Sequence, residues 1–262
     1  MNRKKIIMGN WKMNLTVPES TILIQKLKKE VPVSTKAEVV VCPTFIDIYS
    51  ASEELKGSNI KVGAQNVAEE EKGAYTGEVS VLALKGFVDY IIVGHSERRN
   101  IFGESDKIVA KKAEIAMRHD IRPVICVGET LHEREDKLSK VVVLSQLEAS
   151  CKHLTGEEIA ESLIAYEPVW AIGTGQVCSS EEAEKMAEHI RGLIKSLYGE
   201  KVSGSVRVLY GGSVTSASSK SFRKSKNIDG LLVGGASLNH QEFAAIVKNY
   251  SDNSNLKSQN AK

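Results

Sequence analysis

Several things are missing from this chain of 262 residues. No segment approaches the roughly 18 consecutive apolar residues that a membrane-spanning helix needs. The opening run, Ile6-Ile7-Met8, follows two lysines but stops at Gly9-Asn10, far short of a secretion-signal core. No Cys-x-x-Cys pair occurs, and the four cysteines, Cys42, Cys126, Cys151 and Cys178, lie far apart, which argues against both a structural metal site and a disulfide framework. Charge of one sign is lacking too: the formal net charge of +2 leaves no electrostatic case for nucleic acid or an anionic membrane as partner. No G-x-G-x-x-G follows the first apolar run, which weighs against a dinucleotide-binding open sheet. A soluble, cytoplasmic protein with reduced thiols is the expectation.

What is present is short apolar runs at regular intervals. Eight stand out: Ile6-Met8, Val39-Val41, Ile60-Val62, Tyr90-Val93, Val124-Val127, Leu163-Tyr166, Val206-Tyr210 and Leu231-Val233. They are largely apolar and do not alternate, as expected of strands buried on both faces. Most are separated by amphipathic stretches with helix-start signals. Thr16-Val17-Pro18-Glu19, Thr155-Gly156-Glu157-Glu158 and Ser179-Ser180-Glu181-Glu182 each pair a capping hydroxyl with a glutamate three residues on. Asp47 to Leu55 reads as a further short helix. Eight strand–helix alternations predict a single-domain (β/α)8 barrel with eight parallel strands, spanning 1–250. An open doubly wound sheet is the alternative. The remaining 251–262 are polar and aperiodic, and are expected to be a disordered tail.

The polar residues with chemical use follow the strands. Asn10 and Lys12 come after the first, His95, Ser96 and Glu97 after the fourth, and Glu167 directly after the sixth. Gly211-Gly212-Ser213 follows the seventh and Gly234-Gly235 the eighth. A parallel barrel opens all its strand C-termini on one face, so these groups converge. Paired glycine turns at that face suit a phosphate, held by backbone N–H groups. Glu167 leads into Pro168-Val169-Trp170-Ala171-Ile172-Gly173-Thr174-Gly175, a segment stiff at one end and free at the other, with the makeup of a lid. A carboxylate base beside a lid suits proton abstraction next to a carbonyl. His95 and Asn10 would donate to the developing oxyanion, and Lys12 would add positive charge.

Each residue alone has a plainer reading. Glu167 could be an ion-pair partner, Lys12 a solvated charge and Asn10 a turn residue. Glu97 could pair with Lys12, Arg98 and Arg99 could form surface or helix-cap pairs, and the glycines could be tight turns. It is their convergence on one face that favours the catalytic reading.

At these residues the chain resembles the triosephosphate isomerase family. The matching segments are Gly9-Asn10-Trp11-Lys12-Met13-Asn14, Val93-Gly94-His95-Ser96-Glu97-Arg98-Arg99, Cys126-Val127-Gly128-Glu129, Ala165 to Gly175, Tyr210-Gly211-Gly212-Ser213-Val214 and Leu232 to Leu238. The likeness runs from Ile6 to about Tyr250. It implies interconversion of dihydroxyacetone phosphate and D-glyceraldehyde 3-phosphate, with no metal and no cofactor. It implies catalytic roles for Glu167 as base and for His95, Lys12, Asn10, Ser96 and Glu97 around it. The phosphate would lie on the amides of Gly173, Ser213, Gly234 and Gly235. The long turn Gln65–Glu78 would dock into a second copy, with Thr76 supporting that copy's Asn10 and Lys12. The alternative for this turn is a floppy acidic loop, given Glu69-Glu70-Glu71. One departure lies at the lid's far hinge, where the family's lysine, threonine or valine, and alanine give way to Gln176-Val177-Cys178. Competing functions are a Schiff-base aldolase using Lys12, and a non-catalytic binding protein on the same fold.

Overall fold

The computed structural model describes residues 3–251. Its eight strands, β1 (Ile6–Asn10), β2 (Glu38–Cys42), β3 (Ile60–Ala64), β4 (Tyr90–Val93), β5 (Arg122–Val127), β6 (Leu163–Tyr166), β7 (Arg207–Tyr210) and β8 (Gly230–Val233), close into one parallel barrel in sequence order. β1 completes the ring by pairing with both β2 and β8. Each apolar run forms its strand. β7 starts at Arg207 rather than Val206, because the Val206 N–H still closes the preceding helix on the Val202 carbonyl, at 2.9 Å.

The helices are α1 (Val17–Glu30), α2 (Ile48–Glu54), α3 (Val81–Leu84), α4 (Ser96–Asn100), α5 (Asp106–Arg118), α6 (Leu131–Glu135), α7 (Ser139–Ser150), α8 (Gly156–Glu161), α9 (Ser180–Tyr198), α10 (Glu200–Ser205), α11 (Ser216–Arg223) and α12 (His240–Ser251). The three hydroxyl–glutamate starts are real caps. Glu19, Glu158 and Glu182 accept the backbone N–H of Thr16, Thr155 and Ser179 at 2.8, 2.7 and 3.2 Å. The units after β4, β5 and β6 carry extra short helices that simple alternation does not foretell. The polar tail lies outside the described residues, apart from the backbone of Ser251, which ends α12.

Both faces of the strands are buried, which explains their unbroken apolar character. Met8, Val40, Ile92, Cys126, Ala165 and Leu209 point into the barrel, while Ile7, Val39, Val41, Ile91, Ile125 and Ile164 pack outward under the helices. The N-terminal end of the barrel is plugged by charge. Glu38 accepts from Tyr90 at 2.9 Å and pairs with Arg207 and Lys61, each at 2.8 Å. Burial pushes the Glu38 carboxyl up, but Lys61, Arg207 and Tyr90 outweigh it and hold it at about 2. The opposite end is left free for chemistry.

Candidate active site

At the C-terminal ends of the strands, Asn10, Lys12, His95, Glu167 and Gly234 line one small cavity of about 30 Å³. They lie at or just past the ends of β1, β4, β6 and β8, so the barrel brings together residues more than two hundred positions apart. Glu167 is 2% exposed and His95 6%. Glu167 follows β6 without a gap, and its N–H is bound to the Val127 carbonyl at 2.8 Å. One carboxylate oxygen, Oε1, lies 3.1 Å from His95 Nε2; the other, Oε2, accepts the Ser96 N–H at 2.9 Å. His95 is the N-cap of α4, and its Nδ1 accepts the Glu97 N–H at 3.2 Å. An imidazole that accepts at Nδ1 carries its hydrogen on Nε2, the nitrogen facing the mouth.

Lys12 has a left-handed backbone, φ +52°, a conformation costing an L-residue about 1–2 kcal/mol. Three contacts hold it there. Asn10 Oδ1 accepts its N–H at 3.0 Å, Gln65 Nε2 donates to its carbonyl at 2.9 Å, and Glu97 forms an ion pair with its ammonium. Glu97 and Lys12 do pair, and Lys12 also lines the cavity. Arg99 is no surface residue. It donates to the carbonyls of Gly94 at 2.7 Å and Cys126 at 3.1 Å and pairs with Asp106 at 2.5 Å, tying the ends of β4 and β5 together. Arg98 pairs with buried Glu104 at 2.6 Å.

The expected phosphate amides are only partly assembled. Gly234 lines the cavity, and Gly235 opens the 3-10 turn Gly235–Leu238, whose first amides have no partner within the turn. Ser213 sits exposed on the rim, its hydroxyl donating to the Ala171 carbonyl at 3.1 Å. Gly173 stays outside the cavity, exposed in the lid segment with φ +70°. That lid is anchored at its root. Trp170 Nε1 donates to buried Glu129 at 2.9 Å, and the Arg134 guanidinium stacks 3.9 Å from the Trp170 ring centroid. From Gly173 to Val177 the segment is exposed, and Cys178 is buried again. Burial, with Glu182 and Glu129 nearby, pushes the Cys178 thiol up to about 12. Beneath Glu167, burial and the carboxylate itself raise the Cys126 thiol well above its usual range.

Sequence reasoning missed Gln65, Glu129 and Arg134. Gln65 was legible only as the start of a long loop. Glu129 stands just past a strand end, as Glu167 does, and that position was its signal. Arg134 gave none, because its partners Trp170 and Glu182 lie 36 or more residues away. The turn after β3 makes several contacts with its own base and with α5. Ala68 N–H bonds the Val79 carbonyl at 2.9 Å across its base, and the acidic run is bound to α5 through Glu69–Lys111 at 3.0 Å and to the end of α5 through Glu71–His119 at 2.9 Å. Its tip, residues 72–78, is exposed.

Fold and site together define a (β/α)8-barrel enzyme whose mouth presents a carboxylate, an imidazole and an ammonium group to one small ligand. The sequence model described as triosephosphate isomerase matches residues 5–250. A triosephosphate isomerase of Clostridium tetani is 50% identical over 246 residues, covering 94% of this chain and 96% of that protein. One from Clostridium botulinum is 48% identical over 246 residues (94% and 99%), and one from Acetivibrio thermocellus 48% over 250 residues (95% and 99%). The chain belongs to the triosephosphate isomerase family.

Proposed function

We infer that this chain is an isomerase that interconverts dihydroxyacetone phosphate and D-glyceraldehyde 3-phosphate by proton transfer through an enediolate, with Glu167 as the base. The observation that carries the assignment of the base is the buried Glu167 carboxylate within 3.1 Å of His95 Nε2, in a cavity shared with Lys12. Glu167 takes the proton from the carbon beside the carbonyl and returns it to the neighbouring carbon. His95 Nε2–H and Asn10 donate to the oxygen that gains charge, and Lys12 neutralises it. Both Glu167 oxygens are occupied by His95 and Ser96 here, so the side chain leaves those partners to reach substrate. Ser96 thus holds the base between turnovers, and Glu97 aims Lys12.

The reacting carbons sit at the cavity that Glu167, His95 and Lys12 line. The phosphate rests on the rim, on the amides of Ser213, Gly234 and Gly235, and closure of the lid adds Gly173. Water exclusion matters here because an enediolate phosphate open to solvent can expel its phosphate.

The domain spans 1–250 and works in the cytoplasm as a homodimer. Exposed apolar side chains in the segments after the first four strands support the dimer: Met13, Ile46, Tyr49, Tyr75 and Phe102. Tyr75 and Phe102 flank a cavity of about 220 Å³ beside the turn after β3. In this reading the turn docks into the second copy and Thr76 braces its Asn10 and Lys12.

The test is a coupled assay. D-glyceraldehyde 3-phosphate is supplied, and its ketose product is read through an NADH-consuming dehydrogenase. Rapid turnover that falls roughly 10²–10⁴-fold in Glu167→Gln is expected. Near-normal turnover in that variant would remove Glu167 from the role of base.

A further inference from the structure

Past the ends of β5 and β6 the two chains keep running side by side. The Val127 carbonyl accepts the Glu167 N–H at 2.8 Å, and the Glu129 carbonyl accepts the Val169 N–H at 3.0 Å. Gly128 stands between these two bonds, directly against the Glu167 backbone, and a Cβ on it would meet the Glu167 carbonyl and crowd its Cα. The backbone of Glu167 therefore rests against a glycine, the residue whose own backbone is freest to move.

In a parallel ladder, successive residues turn their N–H and C=O groups to opposite neighbours. Gly128 thus turns its own away from β6, to the side where β4 has already ended at Val93, opposite Ile125. The side chain of Gln146, on α7, takes the place of the missing strand. Its Oε1 accepts the Gly128 N–H at 2.8 Å, and its Nε2 donates to the Gly128 carbonyl at 3.2 Å. Gly128 and Gln146 both line a cavity of about 60 Å³, so packing does not close Gly128 in on that side. The two amide bonds restrain it where packing does not.

The Glu167 carboxylate changes partners during turnover, but it swings about its own Cα, and Gly128 lies against that Cα. Resting on the reading of Glu167 as base, we propose that Gln146 is a positioning residue for the reaction, fixing the place of Glu167 through Gly128. Gln146 does not line the mouth, where Asn10, Lys12, His95 and Gly234 meet the ligand. Its loss therefore falls on kcat and leaves KM in place.

The experiment is the coupled assay on two variants. Gln146→Leu keeps the bulk and removes both bonds. It is expected to lower kcat about tenfold, less than the roughly 10²-fold that a full 1 Å displacement costs, with KM unchanged. Gln146→Glu separates positioning from packing. A protonated carboxyl donates and accepts as the amide does, whereas an ionised one cannot donate and repels the Gly128 carbonyl. In that variant kcat is expected to approach the unsubstituted value at acid pH and to fall about tenfold as the introduced carboxyl ionises, with KM flat. Unchanged kcat in Gln146→Leu, even with lower stability in urea, would overturn the proposal, because the side chain would then only hold the fold. If Gln146→Leu does not fold, the pH profile decides, and a Gln146→Glu profile parallel to that of the unsubstituted protein would overturn it. Either failure leaves the base in place as long as Glu167→Gln is inactive. Near-normal turnover in Glu167→Gln is a different result, and it would overturn the base assignment itself.

Discussion

A Cβ atom placed on Gly128 would lie 1.8 Å from the carbonyl oxygen of Glu167. The end of β5 and the residue that carries the base are pressed together with no room for a methyl group. Gly128→Ala must therefore displace the Glu167 backbone, and with it the carboxylate. A shift of about 1 Å in a reacting group costs on the order of 10²-fold in rate. We expect Gly128→Ala to fold, with kcat lowered by about that factor and a smaller change in KM. Unchanged kcat in the coupled assay would mean that the base tolerates movement of its strand end.

Gln65 should matter as much for Lys12 as Glu97 does. Its side-chain amide donates to the carbonyls of Lys12 and Cys42, at 2.9 and 3.0 Å. Gln65→Ala removes two hydrogen bonds, each worth about 1 kcal/mol, from a residue held in a left-handed backbone. The expected outcome is kcat/KM down by roughly tenfold, with KM raised. Lys12→Ala should weaken substrate and phosphate binding as well as turnover. Calorimetric titration with inorganic phosphate separates the two effects, and unchanged phosphate affinity in Lys12→Ala would place the ammonium away from the ligand.

The plug at the other end of the barrel predicts acid behaviour. Glu38 is held at about 2, against roughly 4.3 for a glutamate in an unfolded chain. A carboxylate depressed by folding contributes stability above the unfolded value and loses it as pH falls toward the folded value. The contribution of Glu38 is thus complete above about pH 5 and fades between about pH 4 and pH 2. Glu38→Gln is expected to be less stable at neutral pH and to converge with the unsubstituted protein across that window. Denaturant melts at a series of pH values read this directly, and a constant gap down to pH 2 would show that the plug does not act through its charge.

Sedimentation at micromolar concentration should give a dimer. Replacing the exposed tip of the turn after β3, residues 73–78, with a short Gly-Ser link should give monomers whose kcat is at least about 10²-fold lower, because the braces on Asn10 and Lys12 are lost with the partner. A monomeric and fully active unsubstituted protein contradicts the docking of this turn.

The barrel was legible because burial on both strand faces writes itself as unbroken apolar runs; Ile7 and Met8 serve opposite sides of one strand. The residues of the candidate site were legible because a parallel barrel sends every strand end to one face, so position after a strand was enough to bring Asn10, His95 and Glu167 to one cavity. What escaped were the tertiary supports. Arg99 looked like half of a surface or helix-cap pair; it does pair with Asp106 at the start of α5, but its guanidinium also holds backbone carbonyls at the ends of β4 and β5. Gln65 lies 53 positions from the lysine it steadies. Neither contact has a local pattern, since each exists only once neighbouring strands are paired. The state of the lid was also hidden, because a Pro-to-Gly segment encodes the ability to move and not where it stands.

Only two tryptophans occur in the chain. Trp11 is wholly buried beneath the end of β1, while Trp170 sits at the root of the lid between the Glu129 carboxylate and the Arg134 guanidinium. One indole is thus packed in the core and the other stands between two opposite charges at the root of the lid segment. Intrinsic fluorescence is therefore the expected readout of the lid: a swing that parts Trp170 from Arg134 should change the emission of Trp170 and leave that of Trp11 as it was.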